Sequence, residues 1–357
     1  MALDLTDAKN RYHHAMSPED RARLPFYSAL LNELEHSDTA VALLALVRVE
    51  QRNPMLILAA LHLNALRGHP VLAPIYFAAR SGSLDDPVVA ARRVVAVLEM
   101  NPELIQSDLH RSTQTNEPGR SSVLQGVLHE FSRLGYSSIR LVDVGTSAGL
   151  NLYLDHYQVR AVDDGNPVTL VCEDMLGVDR SNELPVITER IGIDPSPLSL
   201  QNPDDILWLT ACIWPEESRR IERFEAITQF SRELPALSVL HGSVLECLDE
   251  AIGTPRADVL TVVVNTWVAY YFSGSEREHY IERIRNLCRH DNVAWISIEH
   301  PLVVTGPTIR TDGVPPRRGA SRIVVSLPGR DPAPWGWCHP HGHWLSLDVP
   351  KVSGPNA

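Results

Sequence analysis

Residues 139–151 read Ile-Arg-Leu-Val-Asp-Val-Gly-Thr-Ser-Ala-Gly-Leu-Asn. A short apolar, β-branched run carries an acid near its end, two glycines follow, and helix-compatible residues come next. Strand, glycine turn and helix in this order let an α/β sheet present backbone N–H groups to a ligand. The segment also divides the chain into two patterns. Before it, residues 1–135 carry helix signals and almost no strand signals. After it, β-rich runs alternate with helical ones.

The helical part is punctuated by caps. Ser17 precedes Pro18, Glu19 and Asp20, which predicts an N-cap, proline at the first helical position and acids in the first turn. Asp38 is placed to cap 39–51, Pro54 opens a run that Gly68 closes, and Asp86-Pro87 repeats the cap-then-proline pair. Pro102 starts a short helix, and Ser121 or Ser122 is placed to cap one running to Leu134, with Gly135 after it. With 357 residues there is room for a large core domain and a smaller partner. The reading is a helical lid over 1–120 and an α/β domain over 121–357, with an inserted β element near 160–185.

Three chemistries use a turn like 143–151. A dinucleotide site wants GxGxxG, and Ser147 stands where the middle glycine belongs. A serine hydrolase wants GxSxG, which Gly145, Ser147 and Gly149 satisfy, but that nucleophile follows several earlier strands and this strand is the first. An S-adenosylmethionine (SAM) site wants an acid and then glycines on the first strand. Asp143, Gly145, Ser147, Gly149 and Asn151 fit that best. A second strand ends at Asp194, placed for ribose hydroxyls, with Glu173 in the inserted element as a rival. A third, 237–241, leads to Ser243, where many methyltransferases carry an acid. A fourth spans 259–265 and a fifth 293–299. Segments 322–327 and 344–349 read as a closing antiparallel pair. The expectation is a Rossmann-like, class I methyltransferase-type sheet of seven strands.

The loop after the fourth strand holds Asn265, Trp267, Tyr270 and Tyr271. Asn265 ends an apolar strand, so its carbonyl is a candidate to steer an amine. The three aromatics are candidates to surround a sulfonium, each good contact contributing about 0.5–2 kcal/mol. In the polar stretch 113–120, Arg120 is a candidate fork for a carboxylate, with Gln114 and Asn116 as added donors. Phe272 reads as core. His241 and His300 end strands, where a structural hydrogen bond is the simpler role. His339, His341 and His343 alternate like ligands, but no further ligand is indicated on a separate element, so no metal is assigned and a turn is expected.

The segments TQTNEPGR, LVDVGTSAGLNL, ERIGIDPSPL, LTACIWPE and HPHGHW resemble those of a bacterial family catalogued as domain of unknown function 2332. The resemblance covers most of the chain. It implies a helical domain joined to a SAM-methyltransferase-like domain, related to azetidine-2-carboxylate synthases of nonribosomal-peptide pathways. Those cyclise SAM and release methylthioadenosine. Methyl transfer to a small amine or hydroxyl, and SAM binding without turnover, are the alternatives.

Lys plus Arg number 32 against 44 Asp plus Glu, a net charge of −12, which disfavours nucleic-acid partners. No apolar run approaches the roughly 20 residues of a membrane span. Five widely spaced cysteines and an N-terminus without an apolar core fit a reducing, cytoplasmic setting. Oligomeric state is not legible.

Overall fold

Ser17, Asn53 and Asp86 each stand before a proline, and each caps a helix in the computed structural model, which describes residues 5–48, 51–177, 183–303 and 313–351. Ser17 accepts from the Asp20 N–H, Asn53 from Met55 N–H, and Asp86 from the N–H groups of Val88 and Val89. The helices are α1 (Leu5–His14), α2 (Pro18–Arg23), α3 (Pro25–His36), α4 (Asp38–Leu46), α5 (Pro54–Leu66), α6 (Leu72–Arg80), α7 (Pro87–Met100) and α8 (Glu103–Gln106). α5 is apolar on nearly every side and is buried accordingly. Asp38 is not the cap of α4. Ser37 holds the extended conformation a cap needs and accepts from Ala40 N–H, so Asp38 becomes the first helical residue. The far end of that expected helix, 49–50, lies outside the described residues.

α9 (Arg120–Arg133) begins before the serines expected to cap it. Ser121 and Ser122 lie inside the helix and their hydroxyls donate, to Asn151 Oδ1 (3.0 Å) and to the carbonyls of Gly119 (2.7 Å) and Gly342 (2.9 Å). Further along come α10 (Pro203–Ala211), α11 (Ser218–Ser231), α12 (Val244–Ile252) and α13 (Gly274–His290).

Two units emerge. One takes Met1–Thr115 with Ser199–Glu225, the other Asn116–Leu198 with Ala226–Ala357. A division at 120 therefore differs from the packing, because 199–225 joins the helical unit. The reason is specific bonding: the Glu216 carboxylate accepts from the N–H groups of Phe26 (2.8 Å) and Tyr27 (3.0 Å), capping α3, and buried His62 bonds the Ala211 carbonyl (3.1 Å).

The second unit is built on β1 (Ser138–Val144), β2 (Val159–Arg160), β3 (Leu170–Val171), β4 (Glu173–Asp174), β5 (Val186–Asp194), β6 (Ser238–His241), β7 (Leu260–Thr266), β8 (Val293–Glu299), β9 (Ser321–Ser326), β10 (Ala333–Cys338) and β11 (Trp344–Leu347). The main sheet has nine strands, not seven, in the order β4-β11-β10-β9-β8-β7-β1-β5-β6. β6, β5, β1, β7 and β8 run parallel. The pairs β8–β9, β9–β10 and β10–β11 are antiparallel, and β4 adds a parallel edge to β11. The expected closing pair is not a pair: β9 and β11 each bond to β10, which lies between them. β10 reads poorly as a strand because Pro334 and Gly336 interrupt it, and the register shifts at that point. Within the inserted segment β2 and β3 form a separate two-stranded parallel sheet, and residues 178–182 of that segment lie outside the described residues.

Side-chain alternation assigns the two faces. Ile139, Leu141, Val262 and Val264 pack with the apolar residues of α9. Val142, Val144, Val263 and Trp295 pack with those of α12 and α13. β7 is buried along its whole length, which explains its run of apolar and β-branched residues before Asn265. The order of strands reverses at β1, with β5 and β6 to one side and β7 and β8 to the other. In open α/β sheets such a reversal leaves a crevice outside the carboxyl ends of the strands, here those of β1 and β7. Among the described residues no helix is long and apolar enough to cross a membrane.

Candidate functional site at the carboxyl ends of the parallel strands

The turn after β1 is held by the end of β5. The N–H groups of Gly145 and Thr146 both donate to the Ile193 carbonyl (2.8 and 3.2 Å). Ser147 adopts φ +55°, unusual for a residue with a Cβ, and its N–H donates to Asp194 Oδ2 (2.8 Å). Asp194 Oδ1 accepts from Ser196 N–H (2.8 Å). Gly149, at φ +79°, donates to the Thr146 carbonyl, and a kinked 3₁₀ helix, Leu150–His156, follows instead of an α-helix. Buried Ala148 keeps an N–H that donates to no described residue, whereas most buried N–H groups find an acceptor.

The glycines make room for the chain itself. A Cβ on Gly145 would sit 2.3 Å from Val268 Cγ2, and one on Gly149 2.2 Å from Leu237 Cδ1. Close approach at these positions serves the packing of Val268 and Leu237 against the turn.

Asp143 is 2% exposed and accepts from the Thr146 hydroxyl on Oδ2 (2.9 Å). Burial pushes its carboxyl up to about 7, against the Thr146 hydrogen bond and the Arg120 charge, while the Asp194 charge adds to the rise. Burial also raises Asp194, opposed by its bonds from Ser196 and Ser147.

Arg120 does not stand open as a carboxylate fork. Its Nη1 donates to the Thr266 carbonyl (3.0 Å) at the end of β7, and its Nε to the Pro340 carbonyl (3.1 Å). A buried guanidinium needs acceptors, and the carbonyls that ending strands and turns leave unpaired supply them. Asn116, in the same loop, is buried with Nδ2 lacking a hydrogen-bond partner. Gln114 belongs to the helical unit, where its backbone bonds the Cys212 thiol.

Asn265 is sealed rather than aimed at a ligand. Its Oδ1 accepts from Trp295 Nε1 (2.6 Å) and the Tyr280 hydroxyl (3.1 Å), and its Nδ2 donates to Ser297 Oγ (3.0 Å) and Glu299 Oε1 (2.8 Å). All four hydrogen-bonding positions of the amide are used inside the protein. Trp267 sits at φ +57° with its Nε1 donating to Ser321 Oγ (2.8 Å). Tyr270 and Tyr271, edge to face at 5.9 Å, are 68% and 60% exposed, so they form no dry wall. Phe272 packs on Tyr280, as core.

Other candidates take structural roles. Ser243 caps α12 in a reciprocal box with Glu246. Asn151 Oδ1 accepts from Ser121. Glu173 pairs with Arg317 on the edge strand β4. Seven strand spacings separate β4 from β5, roughly 30 Å, so Glu173 is no rival to Asp194. His241 bonds the Pro195 carbonyl (2.8 Å), and His300 Nδ1 accepts from Leu302 N–H (3.3 Å). His339, His341 and His343 lie in the turn between β10 and β11, with the rings of His339 and His343 stacked at 4.2 Å. Among the described residues no group of three or more His, Cys, Asp or Glu is arranged to hold a metal.

Glu299 went unread in the sequence, yet it ends β8 as Asn265 lies near the end of β7, a polar residue closing an apolar strand. It is 0% exposed. Its Oε1 accepts from Asn265 Nδ2, Val268 N–H (3.0 Å) and Ala269 N–H (3.1 Å), while Oε2 has no hydrogen-bond partner. Burial raises its carboxyl, opposed by those hydrogen bonds and by the Arg120 charge.

The family described as an uncharacterized protein conserved in bacteria (DUF2332) matches residues 9–347. No curated protein and no solved structure matches the chain.

Proposed function

The chain belongs to the bacterial family DUF2332, and for this member we propose a SAM-utilising enzyme whose cofactor lies across the carboxyl ends of β1 and β5. The observation that carries the reading is the bond between the Ser147 N–H, in the turn after β1, and Asp194, the last residue of the neighbouring β5. It sets an acidic turn and a terminal acid side by side, the pair that an adenosyl ligand's ribose and amino-acid ends require. Asp194 has one N–H on each oxygen, and an ionised carboxylate has about four acceptor sites, so ribose hydroxyls retain places to donate. The open Ala148 N–H adds a donor in the same turn. On this reading the sheet is Rossmann-like, of the class I methyltransferase type with two added strands.

The reaction we favour is intramolecular cyclisation of SAM to azetidine-2-carboxylate with release of methylthioadenosine. It asks for an amine with a free lone pair, held in line with the carbon–sulfur bond at about 3–3.5 Å. Buried carboxylates beside the β7 loop suit that task better than the sealed Asn265. Methyl transfer to a second substrate is the competing reading, and the exposed Tyr270–Tyr271 pair favours it, since an acceptor can stack there from solvent.

Mass spectrometry after incubating the purified protein with SAM alone separates them. Azetidine-2-carboxylate together with methylthioadenosine supports cyclisation. S-adenosylhomocysteine formed only on addition of an acceptor overturns it in favour of methyl transfer. Absence of SAM binding by calorimetry removes both.

A further inference from the structure

Among the described residues of the sheet unit, six buried side-chain polar atoms lack a hydrogen-bond partner, and two of opposite sense, the acceptor Glu299 Oε2 and the donor Asn116 Nδ2, are joined through Arg120. Leaving such an atom unpaired costs about 1–3 kcal/mol, more when it is charged, so each calls for an explanation. Arg120 links them. It follows Asn116 in the same turn, where its N–H donates to the Glu117 carbonyl, and its guanidinium bonds Thr266. Two and three residues beyond Thr266, the N–H groups of Val268 and Ala269 are held by Glu299 Oε1. The Arg120 charge also acts on the Glu299 carboxyl.

An anionic acceptor, an amide donor and a neighbouring guanidinium complement a group that carries both an ammonium and a carboxylate. A group with donors only, or with acceptors only, would satisfy one atom and leave the other stranded, whereas an α-amino acid group offers both and also matches the charges of the carboxylate and the guanidinium. We infer that this end of the site takes the α-amino acid group of the ligand, its ammonium on Glu299 Oε2 and its carboxylate on Asn116 Nδ2. The inference rests on the SAM reading above and gives Glu299 the amine-handling role first read onto Asn265. In the cyclisation, an ammonium N–H bond breaks and its proton forms an O–H bond on Glu299 Oε2. The freed nitrogen lone pair forms the bond to the carbon bearing sulfur, and the carbon–sulfur pair leaves with sulfur as a neutral thioether. Glu299 then returns its proton to water. Because Glu299 is 0% exposed, binding displaces the side chains that cover it, and affinity reads the net gain.

Calorimetry tests this with three probes: SAM, its analogue with hydrogen in place of the α-amino group, and decarboxylated SAM. The wild type should bind SAM about 10- to 100-fold more tightly than either analogue, the range of a lost charge-assisted hydrogen bond. Glu299→Gln keeps an oxygen for Val268 and Ala269, and should lose the preference over the des-amino analogue while keeping that over decarboxylated SAM. Asn116→Ala should show the reverse. Equal wild-type affinity for SAM and the des-amino analogue overturns the inference without any variant. So does a Glu299→Gln protein, folded by its thermal transition, that keeps the full preference. A wild type that binds none of the three brings down the cofactor reading itself, a separate outcome.

Discussion

The Ser147 N–H donates to Asp194 Oδ2 at 2.8 Å, joining the turn after β1 to the last residue of β5. The same carboxylate holds Ser196 N–H, so one side chain fixes two turns and steadies Ser147 at its positive φ. Asp194→Ala should therefore cost about 3–6 kcal/mol, from two lost N–H bonds to a charged acceptor of which each contributes about 1.5–3 kcal/mol. Urea unfolding measures it, and a change under about 0.5 kcal/mol would mean that the bonds do not hold the turn.

Asp143 predicts a pH dependence. Its folded carboxyl titrates at about 7 because it is buried, whereas in the unfolded chain it titrates near its ordinary value of about 3.9. Between those values the folded state holds a proton that the unfolded state has lost. Stability then falls as pH rises through this window, by up to about 1.4 kcal/mol per pH unit. The penalty is absent below the window and complete above it. Asp143→Asn stays neutral throughout, so it should lose less stability than the parent between about pH 4 and about pH 7. Parallel stability curves would assign the effect to other groups.

Gly145 faces Val268, and at φ +72° it also needs the freedom of glycine. Gly145→Ala should destabilise by about 1–3 kcal/mol. Val268→Ala in the same chain should recover part of that, because it removes the methyls the new Cβ would strike. A coupling energy near zero in this double-mutant cycle would place the whole cost in the backbone conformation.

Asn265 distinguishes a structural hub from a ligand contact. Asn265→Ala strands the Tyr280 hydroxyl and Trp295 Nε1 and takes a donor from Glu299. The expected loss is about 3–5 kcal/mol, seen as a lower urea midpoint. A fully stable variant with altered ligand handling would restore the role first read for this residue.

Ser243→Ala should lower stability by about 1 kcal/mol through the lost cap of α12 while leaving SAM affinity unchanged. A drop in affinity at constant melting temperature would return Ser243 to the ligand.

The sequence alone determined what local chemistry dictates. Proline after a short polar residue marked α2, α5 and α7, because the cap and the fixed φ of proline act within one turn. Apolar, β-branched runs marked β7 and β8, because burial on both faces leaves little choice of residue. Acid and glycines marked the turn at 143–149. Tertiary structure alone decided which atoms are spent inside the protein. Asn265 and Arg120 look the same in sequence whether they face a ligand or a carbonyl, and only the packing of β8, the 339–343 turn and the end of β7 closed them off. Burial likewise picked out Glu299, since a glutamate ending a strand is ordinary until one of its oxygens is removed from water without a partner. Strand β10, the order of the sheet and the passage of 199–225 to the helical unit depend on pairings between residues far apart in the chain, which no local pattern carries.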